Sequence, residues 1–164
     1  MHHPRPGRLA GFSYLGLYRY FVTIGAKRPG EPFTSAAVVA HLLAQLRQQV
    51  AESKFALVAY CFMPDHVHLV LEGLSESSDL RCCLSRWKQA SGYWFKQHTN
   101  RPLWLSGYHD HVLRDKRSTM DFVGYVLRNP VRARLARRIG EYPFAGSDVY
   151  GQQELDEVLR AEQD

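Results

Sequence analysis

Apolar and polar residues change their spacing several times along the chain, and each change predicts an element. "YRYFVTIGA" (Tyr18 to Ala26) is dense in β-branched and aromatic residues and runs into the turn residues of "KRPGEPF", which predicts a strand and a loop. From Thr34 to about Ser53, Val38, Leu42, Leu43 and Leu46 recur at helical spacing behind a Thr-Ser start suited to capping. "KFALVAYCFMP" and "HVHLVLEG" then read as two antiparallel strands joined at Pro64 and Asp65. Between Asp79 and His98, Leu80, Cys83, Leu84, Trp87, Trp94 and Phe95 again follow the helical period. "YHDHVLRD" predicts a fourth strand, and a third helix is expected to open at Ser118, with Asp121 three residues on as a capping box, and to end near Pro130. This order, βαββαβ and then a helix, predicts an α+β ferredoxin-like fold with an antiparallel sheet and helices on one face.

Strand alternation gives the fragment "HVHLVLEG" two faces. Val67, Leu69 and Leu71 suit the helix-covered side, so His66 and His68 project together from the other, about 7 Å apart at the backbone. Two imidazoles so placed can share a divalent ion. Alone, an HxH pair is a weak signal, because most such histidines are surface or hydrogen-bonded groups.

The third helix strengthens it. In "STMDFVGYVLRNPVRARLARR", Met120, Val123 and Leu127 form the core stripe, and Tyr125 falls on the polar side with Asn129 one turn on. A phenol can act as a covalent nucleophile if its proton is removed and the electrophile is polarised. A metal on His66 and His68, with the Asn129 amide as third ligand, could polarise a phosphate. Imidazole with hard oxygen donors suits Mg2+ or Mn2+ better than zinc. Asn129 precedes a proline, which biases it away from helical geometry.

Composition narrows the partner. The 164 residues suffice for one domain, expected over 1–150, with 151–164 a short acidic tail. No apolar run approaches the roughly 20 residues of a membrane helix, and "MHHPRPGRLAGFSYLG" lacks a secretory signal's apolar segment, which predicts a cytoplasmic protein without membrane contact. Three cysteines, two of them adjacent, make neither a disulfide framework nor a CxxC knuckle. Setting aside five acids and one arginine in the last 14 residues leaves 20 basic against 11 acidic residues in 1–150, as a polyanion-binding protein would have.

Taken in order, "FSYLGLYRYFVTI", "AYCFMPDHVHLVLEG", "LWLSGYHDHVLRD" and "GYVLRNPVRARL" resemble the REP-associated tyrosine transposases of the HUH single-tyrosine superfamily, over about Gly11 to Tyr150. The resemblance implies a single-strand DNA endonuclease and strand transferase in which His66 and His68 bind the metal and Tyr125 attacks the backbone. It implies a 5′-phosphotyrosyl enzyme with a free 3′-hydroxyl, and a polar third ligand at Asn129. The implied partner is single-stranded or hairpin DNA of repetitive extragenic elements, bound by a monomer, although a dimer could supply the tyrosine in trans.

Candidate phosphate contacts are Arg114, Arg128, Arg132 and Arg134, with Arg86 and Lys88 on the second helix. Trp104 is a candidate for base stacking, whereas Trp87 lies on the apolar stripe and reads as core. His109 and His111 form a second pair at strand spacing, ranked below the first because no tyrosine is tied to it. Two other functions fit the same residues: a hairpin-binding regulator that does not cut, and a metal phosphodiesterase that uses water.

Overall fold

In residues 11–161, which the computed structural model describes, the chain runs β1 (Arg19–Gly25), α1 (Ala36–Glu52), β2 (Phe55–Met63), β3 (His66–Gly73), α2 (Leu80–Thr99), β4 (His109–Leu113), α3 (Lys116–Arg132), a two-residue β5 (Ala145–Gly146) and α4 (Gln152–Ala161). A short 3-10 turn, Pro32–Thr34, precedes α1. The sheet order is β4-β1-β3-β2-β5 and every pairing is antiparallel, so the ferredoxin-like α+β arrangement holds, with β5 added at one edge.

Local chemistry sets the boundaries. Ser35 caps α1 by accepting from the Val38 amide, and Asp79 caps α2 by accepting from that of Cys82. Asn100 closes α2 in the left-handed conformation, which a short polar side chain tolerates. The capping box of α3 stands three residues earlier than expected. Asp115 is the N-cap, its carboxylate accepting from the Ser118 amide at 2.7 Å while its own N–H donates to Ser118 Oγ at 3.3 Å.

Both sheet faces are covered, where the sequence predicted helices on one. Val67, Leu69 and Leu71 of β3 pack with α1 and α2 around Leu42, Leu46, Leu84 and the fully buried Trp87. Val70 packs from the opposite face with Val58, Ala59 and Cys61 of β2 and Val123, Val126 and Leu127 of α3. The sign of this second core is β2, "FALVAYCFM", which is apolar almost throughout and not in alternation, as a strand buried on both faces must be. The segment expected as an acidic tail supplies α4, which buries Leu155 and Leu159. No helix among the described residues is long and apolar enough to cross a membrane.

Candidate active site

Register places the imidazoles. Thr23 of β1 pairs with His68 and Gly25 with His66, so both histidines leave β3 on the face that α3 covers. Their Nε2 atoms stand 3.1 Å apart. Each ring is held from behind, His66 Nδ1 lying 2.7 Å from Asp65 Oδ1 and His68 Nδ1 lying 3.0 Å from Thr23 Oγ1. A carboxylate only accepts, so Asp65 holds a proton on His66 Nδ1, and in the neutral ring Nε2 is then a bare lone pair. Thr23 can accept from His68 Nδ1 as well, and both lone pairs then converge on one point.

Burial keeps His68 neutral. It is 5% exposed, and loss of solvent, then the neighbouring His66, pushes its pKa down to about 3. An imidazole neutral at physiological pH is the ligating form. Cys61 stands beside His68 across the β2–β3 pair, but burial pushes its thiol up to about 12, so it is a protonated packing group. Among the described residues no group of three or more His, Cys, Asp and Glu is placed to hold a metal ion, since Asp65 lies behind the His66 ring. The donor set therefore fits a divalent ion taking two imidazole nitrogens from the protein and its other ligands from amide, phosphate or water oxygen.

Tyr125 meets this pair from α3. Val123, Val126 and Leu127 bury one stripe of the helix and leave Tyr125 38% exposed, its ring centroid 5.7 Å from that of His68. Phe21 packs against both rings, stacked on His68 at 5.4 Å and edge-on to Tyr125 at 5.7 Å. One aromatic residue thus spaces the two groups. The Arg132 guanidinium carbon lies 5.6 Å from the Tyr125 centroid and sets a positive charge at the same place.

The helix runs through Pro130 to Arg132, so Asn129 is helical and half-buried one turn beyond Tyr125. The chain then turns in a Schellman motif, with Leu135 N donating to Pro130 O and Arg134 N to Val131 O. Arg134 takes the left-handed position of that motif at φ +60° and is exposed. Arg128 reaches the other way and donates to Leu159 O of α4 at 3.1 Å.

The remaining predicted contacts are scattered. Arg114 is exposed at the end of β4, and Arg86 is exposed on α2, across the sheet from Tyr125. Lys88 donates to the carbonyls of Leu105 and Gly107, and Trp104 donates to Ser91 Oγ while packing on Trp87 and Phe33. Both tie down the loop before β4. His109 and His111 lie exposed on the His66/His68 face, two strands away through Thr23 and Phe21. Sequence reasoning passed over Thr23, Asp65 and Phe21. Thr23 had a signal, as the one aliphatic hydroxyl within β1, and so had Asp65, the residue before the first histidine.

Comparison with known proteins shows the family and the fold. Residues 17–126 match the family described as "Transposase IS200 like". An Escherichia coli K12 REP-associated tyrosine transposase is 20% identical over 134 residues, covering 79% of this chain and 75% of that protein. A Haemophilus influenzae protein provisionally given the same name is 22% identical over 111 residues, 60% of this chain, which spans 62% of that relative's length. Among solved structures, a REP-associated tyrosine transposase bound to a REP hairpin superposes with a TM-score of 0.70 at 16% identity, over 88% of this chain and 82% of that one. A candidate transposase of Deinococcus radiodurans superposes with a TM-score of 0.51 at 22% identity, over 77% and 97%.

Proposed function

Because the chain belongs to the IS200-like transposase family, we propose that it cuts and rejoins single-stranded DNA through Tyr125, on hairpin-containing repetitive extragenic sequences. One juxtaposition carries the reading: an exposed tyrosine on a capped helix, 5.7 Å ring to ring from a buried neutral histidine that shares its Nε2 direction with a second. That is a nucleophile beside a place for an electrophile.

In this reading the Tyr125 phenol loses its proton and its oxygen bonds to the phosphorus. The bond from phosphorus to the 3′ oxygen breaks, and that oxygen takes up a proton. The products are a 5′-phosphotyrosine and a free 3′-hydroxyl. Attack of a 3′-hydroxyl on the phosphotyrosine reverses the step and rejoins DNA without ATP, because each exchange replaces one phosphoester bond by another. His66 and His68, with Asn129 as a further oxygen donor, would hold Mg2+ or Mn2+, which supplies the positive charge that polarises the phosphate. Asp65 and Thr23 keep the imidazoles in ligating orientation. Arg132 meets a phosphate at Tyr125, while Arg134 and Arg114 supply backbone contacts farther out.

The test is incubation of labelled single-stranded hairpin DNA, drawn from repeats flanking the gene, with wild type and Tyr125→Phe in Mg2+ or Mn2+, followed by a denaturing gel. A covalent adduct in wild type alone is the expected result. Cleavage by both proteins without adduct would overturn the reading in favour of a water nucleophile. Salt-sensitive binding with no cleavage by either would assign the protein to DNA regulation.

A further inference from the structure

In the reaction proposed above the Tyr125 phenol gives up a proton, and the groups already placed around it are not free to take it. His66 has Nδ1 on Asp65 and Nε2 at the shared point, while His68 has Nδ1 on Thr23 and Nε2 at that same point. Asp65 is occupied with His66, Arg132 has no lone pair to accept with, and the Asn129 amide is not a base near neutrality. An acceptor has to come from another element.

The edge strand β4 supplies one. The sequence tied no tyrosine to the pair His109 and His111, and the fold does. Thr23 meets His68 on one side and is paired on the other with His109, so His68, Thr23 and His109 form one row, about 10 Å from end to end at the backbone. Residues paired across antiparallel strands share a face, and the contact of His111 with Phe122 at 5.4 Å shows that this is the face α3 covers. Helix and strand run in opposite directions here. Phe122 packs on the row of Phe21 and His111, and three residues of helix, about 4.5 Å of axial rise, lead from it to Tyr125 beside His68. Two residues of β4 in that direction, about 7 Å, lead from His111 to His109. Tyr125 and His109 therefore flank the space above the short Thr23 side chain, one from the helix and the other from the sheet edge. His109 is exposed, and no hydrogen bond among the described residues holds its ring. Imidazole is the side chain that most readily accepts and returns a proton near neutral pH, whereas a carboxylate such as that of Asp121, one turn before Tyr125, is a poorer match to a phenol.

We propose that His109 is a catalytic residue, the general base that takes the Tyr125 proton, directly or through one water above Thr23. In cleavage a ring nitrogen of His109 bonds the phenolic proton as the phenol oxygen bonds to phosphorus. The bond from phosphorus to the 3′ oxygen breaks, that oxygen takes a proton from water, and the imidazolium restores the proton to the solvent. In rejoining, protonated His109 gives a proton to the phenol oxygen as it leaves. The proposal rests on the reading of Tyr125 as the nucleophile and adds to it the group that activates it.

The experiment follows single-turnover adduct formation on REP-type hairpin DNA in Mn2+, with full-length wild type, His109→Ala and Asp121→Asn. His109→Ala should slow the adduct step about 100- to 10,000-fold, the usual contribution of a general base, and Asp121→Asn should stay within about 3-fold of wild type. Imidazole added to His109→Ala should restore the rate in proportion to its concentration. A second arm places a polyfluorinated tyrosine, already ionised near neutral pH, at position 125. There His109→Ala should cost less than about 3-fold, since no proton remains to be taken. Hairpin affinity by fluorescence anisotropy and Mn2+ affinity by calorimetry should match wild type in His109→Ala. The proposal is overturned if His109→Ala loses no rate, if its loss persists in the fluorinated protein, or if its hairpin or Mn2+ affinity falls by the same factor as its rate. A loss in Asp121→Asn that fluorination removes gives the proton to Asp121 and overturns it as well. A wild type that forms no adduct refutes the tyrosine mechanism and this proposal with it, whereas adduct formation untouched by the His109 change refutes the proposal alone.

Discussion

Replacing Thr23 by Val tests whether the converging imidazoles are a built metal site. The change keeps the β-branched shape of a strand residue and deletes one hydroxyl, which lies 3.0 Å from His68 Nδ1. For His68 to ligate through Nε2 its proton must sit on Nδ1, and in the variant that N–H faces apolar strand with no partner, on a residue 5% exposed. An unsatisfied buried donor costs about 1–3 kcal/mol. Much of that cost falls on the metal-bound form, because the free protein can move the proton to Nε2 and share it with His66 across 3.1 Å. Mn2+ affinity, read by calorimetry, should fall about 10- to 100-fold, the usual effect of losing such a partner to a ligating histidine. Folding stability of the metal-free protein should fall by about 1 kcal/mol, and Thr23→Ser, which restores the hydroxyl, should recover affinity. Unchanged Mn2+ binding in Thr23→Val, or no recovery in Thr23→Ser, would refute the argument.

Two further predictions follow from groups held against their ordinary preference. Arg134 occupies a left-handed position at φ +60° where glycine is unstrained, so Arg134→Gly should stabilise the fold by about 1 kcal/mol in urea titration while weakening hairpin binding and flattening its salt dependence. His68 has a folded pKa of about 3 against about 6.5 in the unfolded chain, so its contribution is complete above pH 6.5 and is lost as pH falls toward 3. With metal chelated, wild type should lose about 2 kcal/mol of this contribution between pH 6.5 and 5, and His68→Gln should lack that slope; the comparison is urea denaturation at the two pH values.

The grouping of the candidate residues was legible because regular elements position them. A period of two put His66 and His68 on one face, and a period of 3.6 took Tyr125 off the core stripe. What could not be read was the relation between those elements. The sequence offered no distance between Tyr125 and His68, because it depends on α3 crossing the second face of the sheet, and only the unbroken apolar run of β2 hinted that this face was covered. The start of α3 was misplaced because Ser118 can serve either as a cap or as the third residue of a box, and Asp115, the stronger acceptor, takes the cap. Pro130 misled in the same way. Proline is costly in the middle of a helix, but in the last turn before a Schellman closure few hydrogen bonds remain to be lost.

The acidic segment shows why composition alone gave an incomplete account. Five acids against one arginine suggested a short acidic tail, yet Leu155 and Leu159 recur at helical spacing within it, and that period decides its fate. Both leucines are buried, Leu155 in the core that also holds Val123, Val126 and Leu127. Arg128, one turn from Tyr125 on the C-terminal side, donates to Leu159 O and so ties the two helices end to side. The helix that carries Tyr125 is thereby held from the sheet through Val70 and Leu113, and from outside through α4. In the proposed mechanism a nucleophile that must meet a phosphate beside His68 needs that fixity, because Tyr125 is 38% exposed and its ring meets Phe21, His68, Phe122 and Arg132. The negative charge of α4 is thus carried on a helix whose apolar stripe braces α3.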